Sequence, residues 1–390
     1  MKIAVVCDSF KGSLTSKDAC AAVKDGLLRC NKNFEVLSLP FADGGEGTSR
    51  CFYDILGGQL RKAAVHDPLL REITAEYTVL PDGTAVIDIA SASGLTLLKS
   101  SERDAVKVSS LGSGELICDA AEHGAKHIIL GLGGSATTDA GTGILYALGM
   151  RFFSEDGVEV LPDGQNMIRV KEIRRTENFE RFKDIKFTLA CDVTNPLCGE
   201  NGAAYVFSPQ KGASKNDVKL LDDGLRNIGE IFEKASGKKI INLPGAGAAG
   251  GIGGGLSAFL NCELQSGFDV LARAASLEDK IRRSDAVITG EGKTDRQTLF
   301  GKLPKRVSDI AEKFGVPCIL LSGDVENDIS AEKLGVCEIH KIKENGISLE
   351  HCMKNAALLL SERAFAIGKD SKIINKQYSR KQEKMRENER

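Results

Sequence analysis

No apolar run in this 390-residue sequence approaches the roughly 20 residues that a helical bilayer span requires, so no membrane segment is expected. No C-x-x-C pair occurs among the 11 cysteines, an odd number spread from Cys7 to Cys352. In a chain this long that pattern excludes a disulfide framework and points to reduced thiols in a cytoplasmic setting. No excess of positive charge is present: 52 Lys and Arg face 54 Asp and Glu, leaving a net charge of −2. A basic surface for nucleic acid or an anionic membrane is therefore not expected. The apolar start Met1-Lys-Ile-Ala-Val-Val-Cys-Asp8 is too short for a signal peptide and reads as a first strand. A Walker loop is also missing, because the glycine that G-x-x-x-x-G-K-[ST] needs before Gly292-Lys-Thr294 is Val287.

Glycine is what the chain has in surplus. Its 42 glycines are clustered rather than periodic, which excludes collagen-like and low-complexity readings. The clusters follow short β-branched runs. Lys2–Val6 reads as a strand before Cys7-Asp-Ser-Phe-Lys-Gly-Ser13, and Ser16 is positioned to cap a helix through Leu28. Phe34–Leu39 is a second strand, ending in Pro40-Phe-Ala-Asp-Gly-Gly-Glu-Gly-Thr48. Such a βαβ opening implies a parallel sheet with a right-handed crossover. The other end repeats this character, with strands at Ala286–Thr289 and Pro317–Leu321 and helices over Val307–Phe314 and Leu349–Ile367. The middle is mixed. Ile73–Leu80 and Ala85–Ala90 alternate as an antiparallel hairpin, and strands are expected at Ile128–Leu130, Lys186–Ala190 and Lys239–Leu243.

The expected fold class is α/β, with a Rossmann-like parallel-sheet domain formed by both chain ends and a second mixed α/β domain inserted. The expected boundaries are 1–65 plus 285–370 for the first domain and 66–284 for the second. Residues 371–390 are charged and read as a solvated appendage, disordered or a frayed helix.

Gly131-Leu-Gly-Gly-Ser-Ala136 and Gly245-Ala-Gly-Ala-Ala-Gly250 match dinucleotide-binding spacings, so an NAD-dependent hydroxy-acid dehydrogenase is one alternative. In so glycine-rich a chain such matches arise by chance, and neither is followed by a well-formed strand ending in the required acid. A non-catalytic nucleotide-binding protein is the other alternative. His123 and His127 are spaced i, i+4, but Gly124 interrupts them and no third ligand is near; Ser135 lacks the frame of a hydrolase elbow. What stands out is a set of loops that each join glycine, a hydroxyl and a carboxylate at a strand's end. Asp8 with Lys11, Asp43 with Glu46, Asp139, Asp192 with Asn195, and Glu291 with Asp295 are the inventory of phosphoryl transfer.

The ordered blocks Asp8-Ser-Phe-Lys-Gly-Ser13, Ala42-Asp-Gly-Gly-Glu-Gly-Thr48, Gly131–Gly143 and Ala190–Ala203 resemble those of the type I glycerate kinase family. So do Pro209-Gln-Lys-Gly-Ala213, Pro244–Gly251 and Gly290-Glu-Gly-x-x-Asp-x-Gln-Thr298, and together the blocks cover about residues 1–368. The resemblance implies ATP-dependent phosphorylation of D-glycerate at the 2-hydroxyl, with Mg²⁺, in an interdomain cleft. Cys7, Lys293 and Leu111 stand where the family more often has proline, arginine and tyrosine. On this reading Lys11 and the backbone of Gly133, Gly134 and Ser135 hold phosphates, with Asp8, Ser9 and Gly247 in the binding set. Glu291 and Asp295, with Asp43 or Glu46, place Mg²⁺. Asp192 deprotonates the acceptor hydroxyl, with Asp139 the rival base; Asn195 joins the binding set, and Lys211 or Arg296 receives the carboxylate.

Overall fold

The computed structural model describes residues 1–379 apart from Asp43 and Asn345. The chain folds as two compact units, one of Met1–Ala42 with the chain from Leu271 onward, the other of residues 43–270.

The first unit is built on a five-stranded sheet in the order Glu338–Lys341, Cys318–Ser322, Ala286–Gly290, Lys2–Cys7, Glu35–Pro40. Every pairing in it is parallel. Strands buried on both faces need apolar residues at consecutive positions rather than alternation. Ile3, Ala4, Val5 and Val6 meet that need, as do Ala286, Val287 and Ile288, all fully buried. The helix Ser16–Cys30 covers one face, burying Ala19, Val23, Gly26 and Leu27. Its cap is Thr15, one residue before the expected Ser16: the Thr15 hydroxyl accepts from the Asp18 amide, while the Ser16 hydroxyl donates to the Phe41 carbonyl. The expected long C-terminal helix is two, Leu349–Lys354 and Ala356–Asp370, broken where Asn355 leaves helical geometry. Residues 372–379 are helical, Ile374 is buried and Tyr378 meets Phe34 edge-on, so this part of the expected appendage packs on the unit. Residues 380–390 and Asp43 lie outside the described residues.

The second unit carries a six-stranded sheet in the order Asn261–Gln265, Lys186–Ala190, His127–Gly131, Ala85–Asp88, Glu72–Val79, Gln59–His66. The first four strands run parallel and the last two antiparallel. Gln59–His66 pairs along its whole length with Glu72–Val79, so it belongs here and the first boundary falls before it rather than at 65. The run Lys239–Leu243 forms no strand: the Glu233 carboxylate takes the Ile240 and Ile241 amides, and Ile241 accepts from Leu197. Gly245–Gly250 therefore follows no strand, and the dinucleotide fingerprint there has no βα unit to serve. Among the described residues no helix is long and apolar enough to cross a membrane.

Gly26 lies where Ser16–Cys30 meets Ala356–Asp370. A Cβ there would stand 2.0 Å from the Ser361 carbonyl oxygen and 2.8 Å from the Ala364 Cβ. Alanine would gain about 1 kcal/mol of helix propensity, but overpacking against backbone costs about 1–3 kcal/mol or more. Gly26→Ala is expected to lower the thermal unfolding midpoint; an unchanged or raised midpoint would show that the helices can separate at no cost.

Candidate active site

In the first unit the strand order reverses between Lys2–Cys7 and Ala286–Gly290: the chain moves to one side for Glu35–Pro40 and to the other for Cys318–Ser322. Ligands of open parallel sheets bind at the carboxyl ends of such a switch point. Asp8 and Glu291 are the residues that emerge there, and the Asp8 amide donates to the Gly290 carbonyl at 2.9 Å. Gly292 lets the two turns approach, since a Cβ would sit 3.2 Å from the Phe10 Cα. The Ser9 amide closes on Asp8 Oδ1 at 2.6 Å, and Lys11 is exposed on the same turn. Glu291 is buried, and the Thr298 hydroxyl donates to its Oε1 at 2.7 Å. Burial above all pushes the Glu291 carboxyl up to about 7; Thr298, Thr294 and Lys302 oppose this and the Asp8 charge adds to it. Burial would raise Asp295 as well, but the Lys302 ammonium at 3.3 Å and the Gln297 and Thr298 amides outweigh it and hold that carboxyl low.

Lys293 and the expected Arg296 are both engaged in ion pairs. Lys293 pairs with Glu326 at 2.8 Å, and Arg296 reaches Asp328 at 2.6 Å on an exposed loop. Among the described residues no three His, Cys, Asp or Glu side chains gather as a metal-binding group. Mg²⁺ does not require one, because it keeps water and phosphate oxygens and takes one or two carboxylates from protein. Asp8 and Glu291 fit that demand: a cation would offset the burial of the Glu291 charge and the smaller contribution of Asp8.

In the second unit the parallel strands end at Asp88, Gly131, Ala190 and Gln265, and the loops beyond them interlock. The Gly133 amide donates to the Gly44 carbonyl at 3.1 Å, and a Cβ on Gly133 would stand 2.4 Å from the Gly45 Cα. The Leu132, Ala136 and Ala140 amides go to the carbonyls of Ala190, Ser93 and Gly250. These glycines thus bring backbone against backbone, and of the expected phosphate-binding amides that of Gly133 is spent inside the protein. Gly247 behaves likewise, its amide donating to the Asn195 carbonyl at 3.0 Å. The Asn195 side chain in turn holds the Asn201 carbonyl at 2.8 Å.

Asp139 is fully buried. Its Oδ2 accepts from the Ser110 amide at 2.9 Å, the Ser110 hydroxyl at 2.7 Å and the Gly143 amide at 3.4 Å, and Oδ1 accepts from the Gly141 amide at 3.0 Å. Burial raises its pKa and those four donors lower it. This is the geometry of an anchor, and it corrects the expectation of a rival base. Lys211 is buried too, its Nζ donating to Ser135 Oγ at 2.9 Å and the Thr137 carbonyl at 2.6 Å. Burial pushes its ammonium down to about 7, opposed by the Asp139 charge. Asp192, by contrast, is exposed just past Ala190.

Sequence reading missed Asp88, which ends its strand beside these loops. Its carboxylate accepts from the Gly47 amide at 2.9 Å and the Ser49 amide at 3.0 Å, capping the helix Thr48–Leu56 from a distant strand. Burial pushes it up to about 7, the two amides opposing and Glu46 adding. Asp88 and Glu46 line a cavity of about 210 Å³ with Ser49, Arg50, Glu76 and Ser91. A lone acid at a strand's end was the available signal, but no glycine marks it.

The sequence profile of the Glycerate kinase family matches residues 3–372. The chain belongs to the glycerate kinase family. It is 41% identical to a glycerate 2-kinase of Escherichia coli strain K12 over 330 residues, 84% of this chain and 87% of that one. It is 38% identical to a glycerate kinase of Halalkalibacterium halodurans over 364 residues, 93% and 96% of the two chains. Its structure resembles a crystal structure of a provisionally assigned glycerate kinase 2 from Salmonella typhimurium LT2. The TM-score is 0.84 at 34% identity, covering 95% of this chain and 97% of that one. The enzyme is accordingly a phosphotransferase with an alcohol group as acceptor.

The buried lysine gives this glycerate kinase fold a pH signature. With its folded pKa near 7 and its ordinary value 10.5, Lys211 sheds a proton on folding between those limits. Unfolded chains then bind more protons than folded ones, so its contribution to stability rises with pH across that window. Chemical denaturation at pH 7 and pH 9 should show wild type gaining on Lys211→Met; a constant difference would mean that the ammonium stays charged.

Proposed function

We propose that this enzyme transfers the γ-phosphoryl group of ATP to the 2-hydroxyl of D-glycerate, giving 2-phosphoglycerate and ADP. The observation that carries the reading is the meeting of Asp8 and Glu291 at a sheet switch point, in a chain of a phosphotransferase family. The similarity to a relative named glycerate 2-kinase supports the 2-hydroxyl as acceptor.

Lys11, exposed on the Asp8 turn, offsets phosphate charge, a task suited to a mobile point charge. Asp8 and Glu291 would hold Mg²⁺, with Asp295 and Lys302 ordering the loop that carries Glu291 through Thr298. The ion, when bound, neutralises charge on the β- and γ-phosphates. Glu46 is the remaining described candidate from the expected metal set, and its Oε1 accepts from the Thr96 hydroxyl at 3.5 Å. Asp192 is assigned as the base, because it alone of the two expected acids is exposed. It takes the proton of the 2-hydroxyl as that oxygen bonds to Pγ and the bond from Pγ to the bridging oxygen of ADP breaks. All 11 cysteines are free thiols, the state expected of a cytoplasmic protein.

Loss of a general base costs about 10²–10⁴-fold in rate. Asp192→Asn is expected to lose kcat in that range while KM for ATP stays within about threefold. Coupled detection of ADP formed with D-glycerate, beside an L-glycerate control, measures both; near-normal turnover would remove Asp192 from the mechanism.

A further inference from the structure

We infer that Ser13 is a positioning residue for Lys11: it latches the turn that carries this lysine to the helix Leu349–Lys354. The inference rests on the phosphate role proposed above for Lys11. The turn is a closed unit. Phe10 and Leu14 exchange backbone hydrogen bonds at 2.9 and 3.0 Å, and the Ser13 amide donates to the Phe10 carbonyl at 2.8 Å. Phe10 is buried in the core of the first unit and fixes the base of the turn. Lys11 and Gly12, at its tip, are exposed. Those bonds shape the turn but do not by themselves tie its tip to the rest of the unit.

Contacts from two sides do that. On one side the Ser13 hydroxyl donates to the Met353 carbonyl oxygen at 2.6 Å. The neighbouring Gly12, left-handed at φ +74°, would place a Cβ 3.0 Å from the Met353 Cε. Met353 is a natural acceptor, because its helix ends at Lys354 and the last carbonyls of a helix have no amide partner within it. On the other side lies Gly292, next to Glu291; a Cβ there would stand 3.2 Å from the Phe10 Cα and 3.4 Å from the Lys11 nitrogen. The turn is thus held between Met353 and Gly292, and Ser13 supplies the directed bond on the Met353 side. Its one proton is committed to that carbonyl, so Ser13 has none to offer a phosphate oxygen. Lysine is a point charge on a flexible stem, and where it acts is set by the backbone from which it springs. Releasing the latch lets the turn swing away from Glu291 and loosens the hold of Lys11 on the phosphates.

Full-length wild type, Ser13→Ala, Ser13→Thr, Lys11→Ala and the Ser13→Ala, Lys11→Ala double variant are compared. The readouts are coupled kinetics with ATP and D-glycerate, calorimetric titration with MgATP, and thermal unfolding. Ser13→Ala should raise both KM and the dissociation constant for ATP by about 2- to 12-fold, the span of one net hydrogen bond. KM for D-glycerate should stay within about threefold, whereas a merely structural defect would raise both KM values and lower the unfolding midpoint. Ser13→Thr, which keeps the hydroxyl, should recover most of the loss. In the Lys11→Ala background Ser13→Ala should have no further effect, because the latch has no cation left to place. A further loss of equal size there would overturn the inference, since Ser13 would then act on the nucleotide without Lys11. Unchanged ATP affinity in Ser13→Ala, beside a loss in Lys11→Ala, would overturn it as well. Unchanged ATP affinity in Lys11→Ala would remove the phosphate role on which the inference stands. Wild type that binds MgATP but turns over no D-glycerate would overturn the substrate reading alone, and the titrations would still decide on Ser13.

Discussion

One buried carboxylate holds the working edge of the second unit. Asp139 sits where two helices begin, since Ser110 precedes Leu111–Glu122 and Gly141 precedes Thr142–Ala147. Negative charge at a helix N-terminus is stabilised by the amides that have no partner within the helix, and here one carboxylate serves two of them. Four donors compensate a desolvation that would otherwise be prohibitive. The loop from Ser135 to Ala140 is fixed at its far end by this cage and near its start by Lys211. The path of that backbone therefore depends on buried polar contacts at both of its ends.

The two units use acids differently. In the first, carboxylates emerge at a switch point, where burial above all, and the Asp8 charge to a lesser degree, raise the Glu291 carboxyl to about 7. In the second, Asp88 and Asp139 tie glycine loops to helix starts, whereas Asp192 is exposed. Glycine serves this second purpose. The contact of Gly133 with Gly45 and of Gly250 with the Thr137 carbonyl, 2.0 Å from a Cβ placed on Gly250, allows no side chain at all. Ala249, Gly250 and Gly251 run through three successive left-handed conformations to make that approach.

Much of the fold was legible because buried parallel strands must be apolar at every position. Lys2–Cys7, Ala286–Gly290 and Cys318–Ser322 show this directly in their residues. Gln59–His66 was not legible, since an edge strand carrying Arg61 and Lys62 looks like a solvated segment. Lys239–Leu243 misled in the other direction: its pattern suits a strand, but the distant Glu233 takes its amides. In the site, residue types announced the chemistry while burial decided the roles. Asp139 and Asp192 are the same side chain in similar glycine-rich loops, and only packing makes one an anchor and leaves the other exposed. Lys211 carries no local motif that reveals a shielded ammonium.

Transfer of phosphate to the secondary hydroxyl of glycerate, as proposed, would be reported directly by the product. Phosphorus NMR of a reaction of enzyme, ATP, Mg²⁺ and D-glycerate distinguishes the esters by proton coupling, because the carbon bearing a 2-phosphate has one hydrogen and that bearing a 3-phosphate has two. A new phosphomonoester doublet growing in step with ADP is expected. A triplet would place the phosphate on the primary hydroxyl, and no new ester beside consumed D-glycerate would contradict the kinase reading altogether.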